Sequence, residues 1–98
     1  MMWFAIRFTD NPAAFSVRET YFAAHLEWLA QHRARIKAAG SLRQKPDERP
    51  AGALWIVEAE NEEQALALFA EDPFWVEGLR ASVEIHAWSL AFDDMLTG

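Results

Sequence analysis

Ala53-Leu54-Trp55-Ile56-Val57-Glu58-Ala59 is followed, after Glu60, by Asn61-Glu62-Glu63-Gln64-Ala65 and then by Asp72-Pro73-Phe74-Trp75. The first seven residues have the β-branched and aromatic content of a strand. Asn61, with Gln64 three residues on, has the spacing of a capping box, which predicts that a helix starts there. Ala65, Leu68, Phe69 and Asp72 recur at helical spacing, so Asp72 shares the apolar face of that helix. Pro73 ends it at about Asp72, because a residue before proline is pushed out of the α region. The fold follows from extending this strand–helix unit in both directions.

Upstream, Met2 to Thr9 reads as a strand and Asp10-Asn11-Pro12 breaks it. A long helix runs roughly from Phe15 to Arg33, and a second strand over Ile36 to Arg43. Gln44 to Gly52, with Lys45, Pro46, Asp47, Glu48, Arg49 and Pro50, is a solvated turn. Downstream, Val83 to Phe92 makes a last strand, and a loose tail follows over Asp93 to Gly98. The order strand, helix, strand, strand, helix, strand predicts one α+β domain over residues 1–98. Two right-handed crossovers give a ferredoxin-like βαββαβ layout, with an antiparallel sheet and both helices on one face.

The first strand is apolar on both faces, with Met2, Phe4 and Ile6 on one and Trp3 and Ala5 on the other. Trp55 and Val57 likewise stand opposite Leu54 and Ile56. A half-exposed sheet should alternate apolar and polar residues. With 98 residues, 52% of them hydrophobic, and five Trp, the chain carries more apolar surface than one thin two-layer domain hides. The expected cover is a second copy, in a two-fold homodimer with the sheets face to face.

A net charge of −6 and a pI near 4.9 argue against nucleic-acid binding, since phosphate would be repelled. No cysteine is present, so disulfides, thiol chemistry and cysteine metal sites are excluded. The apolar start Met1 to Ile6 is too short for a membrane span and lacks a basic region and a cleavage site. The expectation is a cytoplasmic protein with no membrane association. No glycine-rich phosphate loop, dinucleotide fingerprint or Ser-His-Asp order appears, so no cofactor is expected.

In the long helix, Phe22, Leu26 and Leu29 form the stripe expected to face the core. Tyr21, His25, Trp28 and His32, with Arg18 at the start, form a second stripe on its flank. If the two helices lie side by side, His25 and Asp72 can meet as a proton-transfer pair. An imidazole both takes and returns a proton near neutral pH, and a carboxylate on one ring nitrogen sets its tautomer. Plainer roles stand beside these: a flank histidine satisfied by a neighbour, and an aspartate making an Asx turn before proline. Arg18 is the candidate clamp for a substrate anion, against an ordinary surface salt bridge. Trp28, Trp55, Phe74 and Trp75 are core residues, some of which must also wall any slot for a flat ring. His32 reads as a rim or dimer residue, and His86 as an edge or interface residue. His25, His32 and Asp72 could supply three metal ligands, but residues seven apart on a helix sit about 10 Å apart, so no metal site is expected.

These residues resemble the YCII-related family of the dimeric α/β-barrel group. The resemblance runs from Phe4 to about Ser89. It rests on His25-Leu26 with Trp28-Leu29, Ala38-Ala39-Gly40 with Leu42, and Gly52-Ala53-Leu54-Trp55. Asp72-Pro73-Phe74 with Gly78-Leu79, and Val83-Glu84-Ile85 running to Trp88, complete it. It implies a ferredoxin-like protomer, a dimer, and an active site built from that His and that Asp. Relatives with known activities act on small organic rings by dehydrohalogenation, lactone isomerisation or related proton transfers. Two departures, a short helix-to-strand connection without the usual glycine and Ser41 where proline is common, are expected at the pocket mouth. The first reading is therefore a cofactor-free enzyme. His25 and Asp72 would move a proton on a small cyclic or enolisable acid, and Arg18, Trp28, Ser41, Trp55 and Phe74 would touch it. The second is a non-catalytic dimer that binds a small ligand or serves a pathway partner. The third is a purely structural dimer.

Overall fold

In the computed structural model, which describes residues 1–96, strand β1 (Met2–Asp10) alternates sides along its length. Phe4, Ile6, Phe8 and Asp10 all turn to one buried side. A short 3-10 turn, Pro12–Ala14, leads into helix α1 (Phe15–Gln31), with the Asn11 side chain accepting from the Ala13 N–H at 3.0 Å. Strands β2 (Ile36–Leu42) and β3 (Gly52–Ala59) follow, then helix α2 (Glu62–Leu68), the single turn α3 (Pro73–Val76) and strand β4 (Arg80–Trp88). The sheet order is β2-β3-β1-β4, with β1–β3, β1–β4 and β2–β3 all paired antiparallel. This is the ferredoxin-like α+β arrangement that the element order predicts.

The core lies between this sheet and the helices. Phe4, Ile6 and Phe8 of β1 and Ala53, Trp55 and Val57 of β3 meet Trp28 of α1 and Ala65 and Phe69 at α2. Gly52 is needed for β1 and β3 to approach, since a Cβ there would lie 2.1 Å from the Phe8 carbonyl oxygen.

Several boundaries differ from the sequence reading. Asn61 does cap α2, accepting from the Gln64 N–H at 2.8 Å, but Gln64 reaches back to the Glu60 N–H instead of closing a reciprocal box. Helix α2 stops at Leu68, four residues before Asp72. Asp72 is extended (φ −60°, ψ 127°) and caps α3, so it begins a helical turn where the sequence reading has it ending one. The last strand spans Arg80–Trp88, not 83–92. In the tail, the Met95 N–H returns to the Phe92 carbonyl, and residues 97–98 lie outside the described residues.

The larger difference is which face of α1 is buried. Arg18, His25 and Trp28 are buried, whereas Phe22 and Leu26 are about half exposed. Arg18 and His25 go inward because Asp10 and Asp72 partner them there, which offsets the cost of burying their charged or polar groups, while Trp28 Nε1 and Arg18 Nε stay buried without a partner. Among the described residues, no helix is long and apolar enough to cross a membrane.

Candidate active site

The His25 Nδ1 donates to Asp72 Oδ1 at 2.7 Å, with both side chains buried. An ionised carboxylate only accepts, and Asp72 Oδ1 also accepts from the Phe74 N–H at 3.2 Å. The proton of a neutral His25 therefore sits on Nδ1, and Nε2 carries the lone pair. Nε2 has no partner among the described residues and is not sealed from solvent. The ring stacks on Phe74 at 4.0 Å between centroids, 13° from parallel, which holds its plane.

Beside this pair lies an ionic cluster centred on Asp10. Arg18 Nη2 donates to Asp10 Oδ2 at 2.6 Å, and Arg80 Nη1 donates to Asp10 Oδ1 at 2.7 Å. Arg18 Nη1 reaches across to Ser41 Oγ on β2 at 3.2 Å. Both guanidinium carbons lie 5.3 Å from the Phe74 ring centre. One buried phenyl ring thus backs His25, Arg18 and Arg80 together. Burial pushes Arg80 below the ordinary arginine pKa, opposed by the hydrogen bond and charge of Asp10 and by the charge of Asp72. An arginine starts so far above neutrality that it stays cationic.

These groups border a cavity of about 190 Å³ between α1 and the β2–β3 side of the sheet. Arg18, His25, Ser41, Trp55 and Arg80 line it, and Phe22, Leu26 and Leu29 form an apolar lip facing Ala39 and Gly40. Larger hollows of about 410 and 440 Å³ lie by Arg7 and Arg43 and by Trp3 and Trp88, and neither includes His25.

Of the residues singled out from sequence, His25, Arg18, Ser41 and Trp55 line this cavity, and Asp72 sits directly behind His25. Phe74 and Trp28 do not line it. Phe74 is fully buried behind the histidine, and Trp28 packs on His32 at 4.2 Å. His32 turns away from the site, its Nδ1 donating to the Trp28 carbonyl at 2.7 Å. His86 is exposed, 3.6 Å from Glu84. The helix-to-strand connection does not border the cavity, although Ser41 does.

Asp10 and Arg80 were missed. Asp10 had a signal: it continues the alternation of Phe4, Ile6 and Phe8 onto the inward face. Arg80 had none. It pairs with Asp10 only because the β1–β4 register slips by one residue between Thr9 and Asp10, so that Ala81 is skipped and Arg80 turns inward.

Fold and site together define a small ferredoxin-like protein with a buried His–carboxylate pair opening onto an arginine-lined cavity. The chain belongs to the YCII-related domain family, whose model matches residues 2–89. No curated protein matches the sequence. Among solved structures it is similar to the 5-chloro-2-hydroxyhydroquinone dehydrochlorinase TftG from Burkholderia phenoliruptrix AC1100, solved in complex with 2,5-dihydroxybenzoquinone. The two are 30% identical over 90% of this chain and 94% of that one, with a TM-score of 0.78. SnoaB, a cofactor-independent oxygenase from Streptomyces nogalater, is 17% identical over 93% of each chain, with a TM-score of 0.49.

Proposed function

We propose that this protein is a cofactor-free enzyme that moves a proton on a small cyclic or enolisable acid. The observation that carries the reading is the free Nε2 of His25 at the cavity, with Nδ1 held by the buried Asp72 at 2.7 Å. In the proposed cycle Nε2 takes an acidic proton from the substrate, and the electron pair left behind moves into the ring. Either a leaving group then departs with its bonding pair, for net loss of HX, or the imidazolium returns the proton to another carbon. Asp72 sets the tautomer and neutralises the imidazolium as it forms. The similarity to a dehydrochlorinase supports elimination from a halogenated hydroxyquinol as the first chemistry to test.

The working unit we propose is a homodimer formed through the open sheet face, where Leu54 and Trp88 are exposed and Trp3 is half buried.

Chloride release from 5-chloro-2-hydroxyhydroquinone, followed with an ion-selective electrode, tests the reaction. The wild type should release chloride well above the spontaneous rate, and His25→Gln should lose at least about a hundredfold, the usual scale of a general base. Equal rates in the two proteins would sink the catalytic role of His25. Binding of 2,5-dihydroxybenzoquinone that survives His25→Gln, with no turnover in the wild type, would favour a non-catalytic binding module.

A further inference from the structure

We infer that Arg80 is a second anion-contacting residue of this cavity, and that with Arg18 it makes the site selective for an anionic ring. The inference deepens the proposed function and concerns the same cavity, yet it needs no turnover to be true.

Three observations carry it. The Arg80 side chain is about 1% exposed, and the residue lines the cavity that His25 lines. Of its three guanidinium nitrogens, Nη1 is held by Asp10 and Nε is sealed without a partner. Only Nη2 is both unbonded and not sealed, so the accessible part of this buried cation is a free donor at the cavity wall. A buried guanidinium with unused donors is unusual, because each unpaired N–H costs the hydration it has lost.

Charge supplies the third observation. Arg18 and Arg80 share one carboxylate, Asp10, through its two oxygens. The other buried carboxylate, Asp72, is engaged by His25 and by the Phe74 N–H. When His25 takes a proton, Asp72 offsets the imidazolium. The one unbalanced positive charge of the arginine pair is then left for the anion formed on the substrate. Arginine suits this role, since its planar fork meets carboxylate or enolate oxygens directionally and it does not give up its proton. The register slip beside Asp10 therefore brings a fixed cation into the lining of the same cavity as the base, the kind of preorganised charge that stabilises a developing oxyanion.

The test uses benzoate and its neutral isostere benzamide, with affinities read from tryptophan fluorescence, since Trp55 lines the cavity. The wild type should prefer benzoate. Arg80→Gln should weaken benzoate by about tenfold or more while leaving benzamide unchanged, the loss expected for one charged hydrogen bond. Arg80→Lys, which keeps the charge, should retain part of the preference. Should Arg80→Gln fail to fold, the guanidinium 1H–15N signals of Arg80 in the wild type answer the same question, shifting with benzoate and not with benzamide. No benzoate preference in the wild type, equal benzoate affinity in folded Arg80→Gln, or unmoved Arg80 signals each overturn the inference. His25→Gln should keep the preference. A protein that prefers benzoate through Arg80 but turns over no substrate would retire the enzymatic reading and leave this one standing.

Discussion

Asp72→Ala separates a working His–carboxylate pair from two neighbours that merely touch. The substitution removes two hydrogen bonds at once, one from His25 Nδ1 and one from the Phe74 N–H that caps α3. Loss of a capping side chain costs about 1 kcal/mol. Leaving a buried ring nitrogen without its partner costs about 1–3 kcal/mol. The sum, roughly 2–4 kcal/mol, corresponds in a domain of this size to a fall in Tm of roughly 10–30 °C. Asp72→Asn is the control. The Phe74 N–H keeps the side-chain oxygen in place at Oδ1, so the amide nitrogen occupies the position of Oδ2, which is already buried without a partner. Asn therefore keeps the cap and an acceptor for Nδ1–H, removes the charge, and leaves an unpaired amide N–H group where Oδ2 was. Its stability should stay within about 2 kcal/mol of the wild type, the cost of burying one unpaired amide. The assay is a thermal melt followed by circular dichroism, together with long-range 1H–15N spectra of histidine-labelled protein. Wild type and Asp72→Asn should show His25 with its proton on Nδ1. Asp72→Ala should lose that tautomer, because nothing then selects it. A wild-type ring protonated on Nε2, or an Asp72→Ala protein with unchanged spectrum and Tm, would refute the pairing.

Two further outcomes follow from the backbone and the open sheet face. Gly78 has φ +81° with no atom within 4 Å of a built Cβ, and the Gly78 and Leu79 N–H groups return to the Trp75 and Phe74 carbonyls. Gly78→Ala should therefore cost about 1–2 kcal/mol through backbone strain alone, read as a lower Tm. An unchanged Tm would show that the left-handed turn is not needed to lead the chain into Arg80. If a second copy covers the open sheet, Leu54→Asp should convert a dimer to a monomer by light scattering after size exclusion, with the fold intact. A wild type that is already monomeric would remove the dimer from the proposal.

Local sequence signals determined most of the fold. The β-branched and aromatic content of β1 and β3, the breakers between segments and the element order were enough for a ferredoxin-like sheet, because each segment's local geometry fixes which connections can follow it. The meeting of His25 with Asp72 was also anticipated, from two helical segments that the topology lays side by side, although His25 was read onto the flank of α1 and Asp72 onto the end of the second helix. Three matters were decided only by tertiary structure. The buried stripe of α1 is the one carrying Arg18 and His25, because Asp10 and Asp72, distant in sequence, satisfy them there. Phe74 ended behind the histidine and not in the cavity, because the turn after Asp72 folds it into the core. Arg80 joined the site through a one-residue slip in strand register, and no local pattern encodes a slip. It depends on how two strands far apart in the chain settle against each other, with Arg80 and Asp10 paired across them.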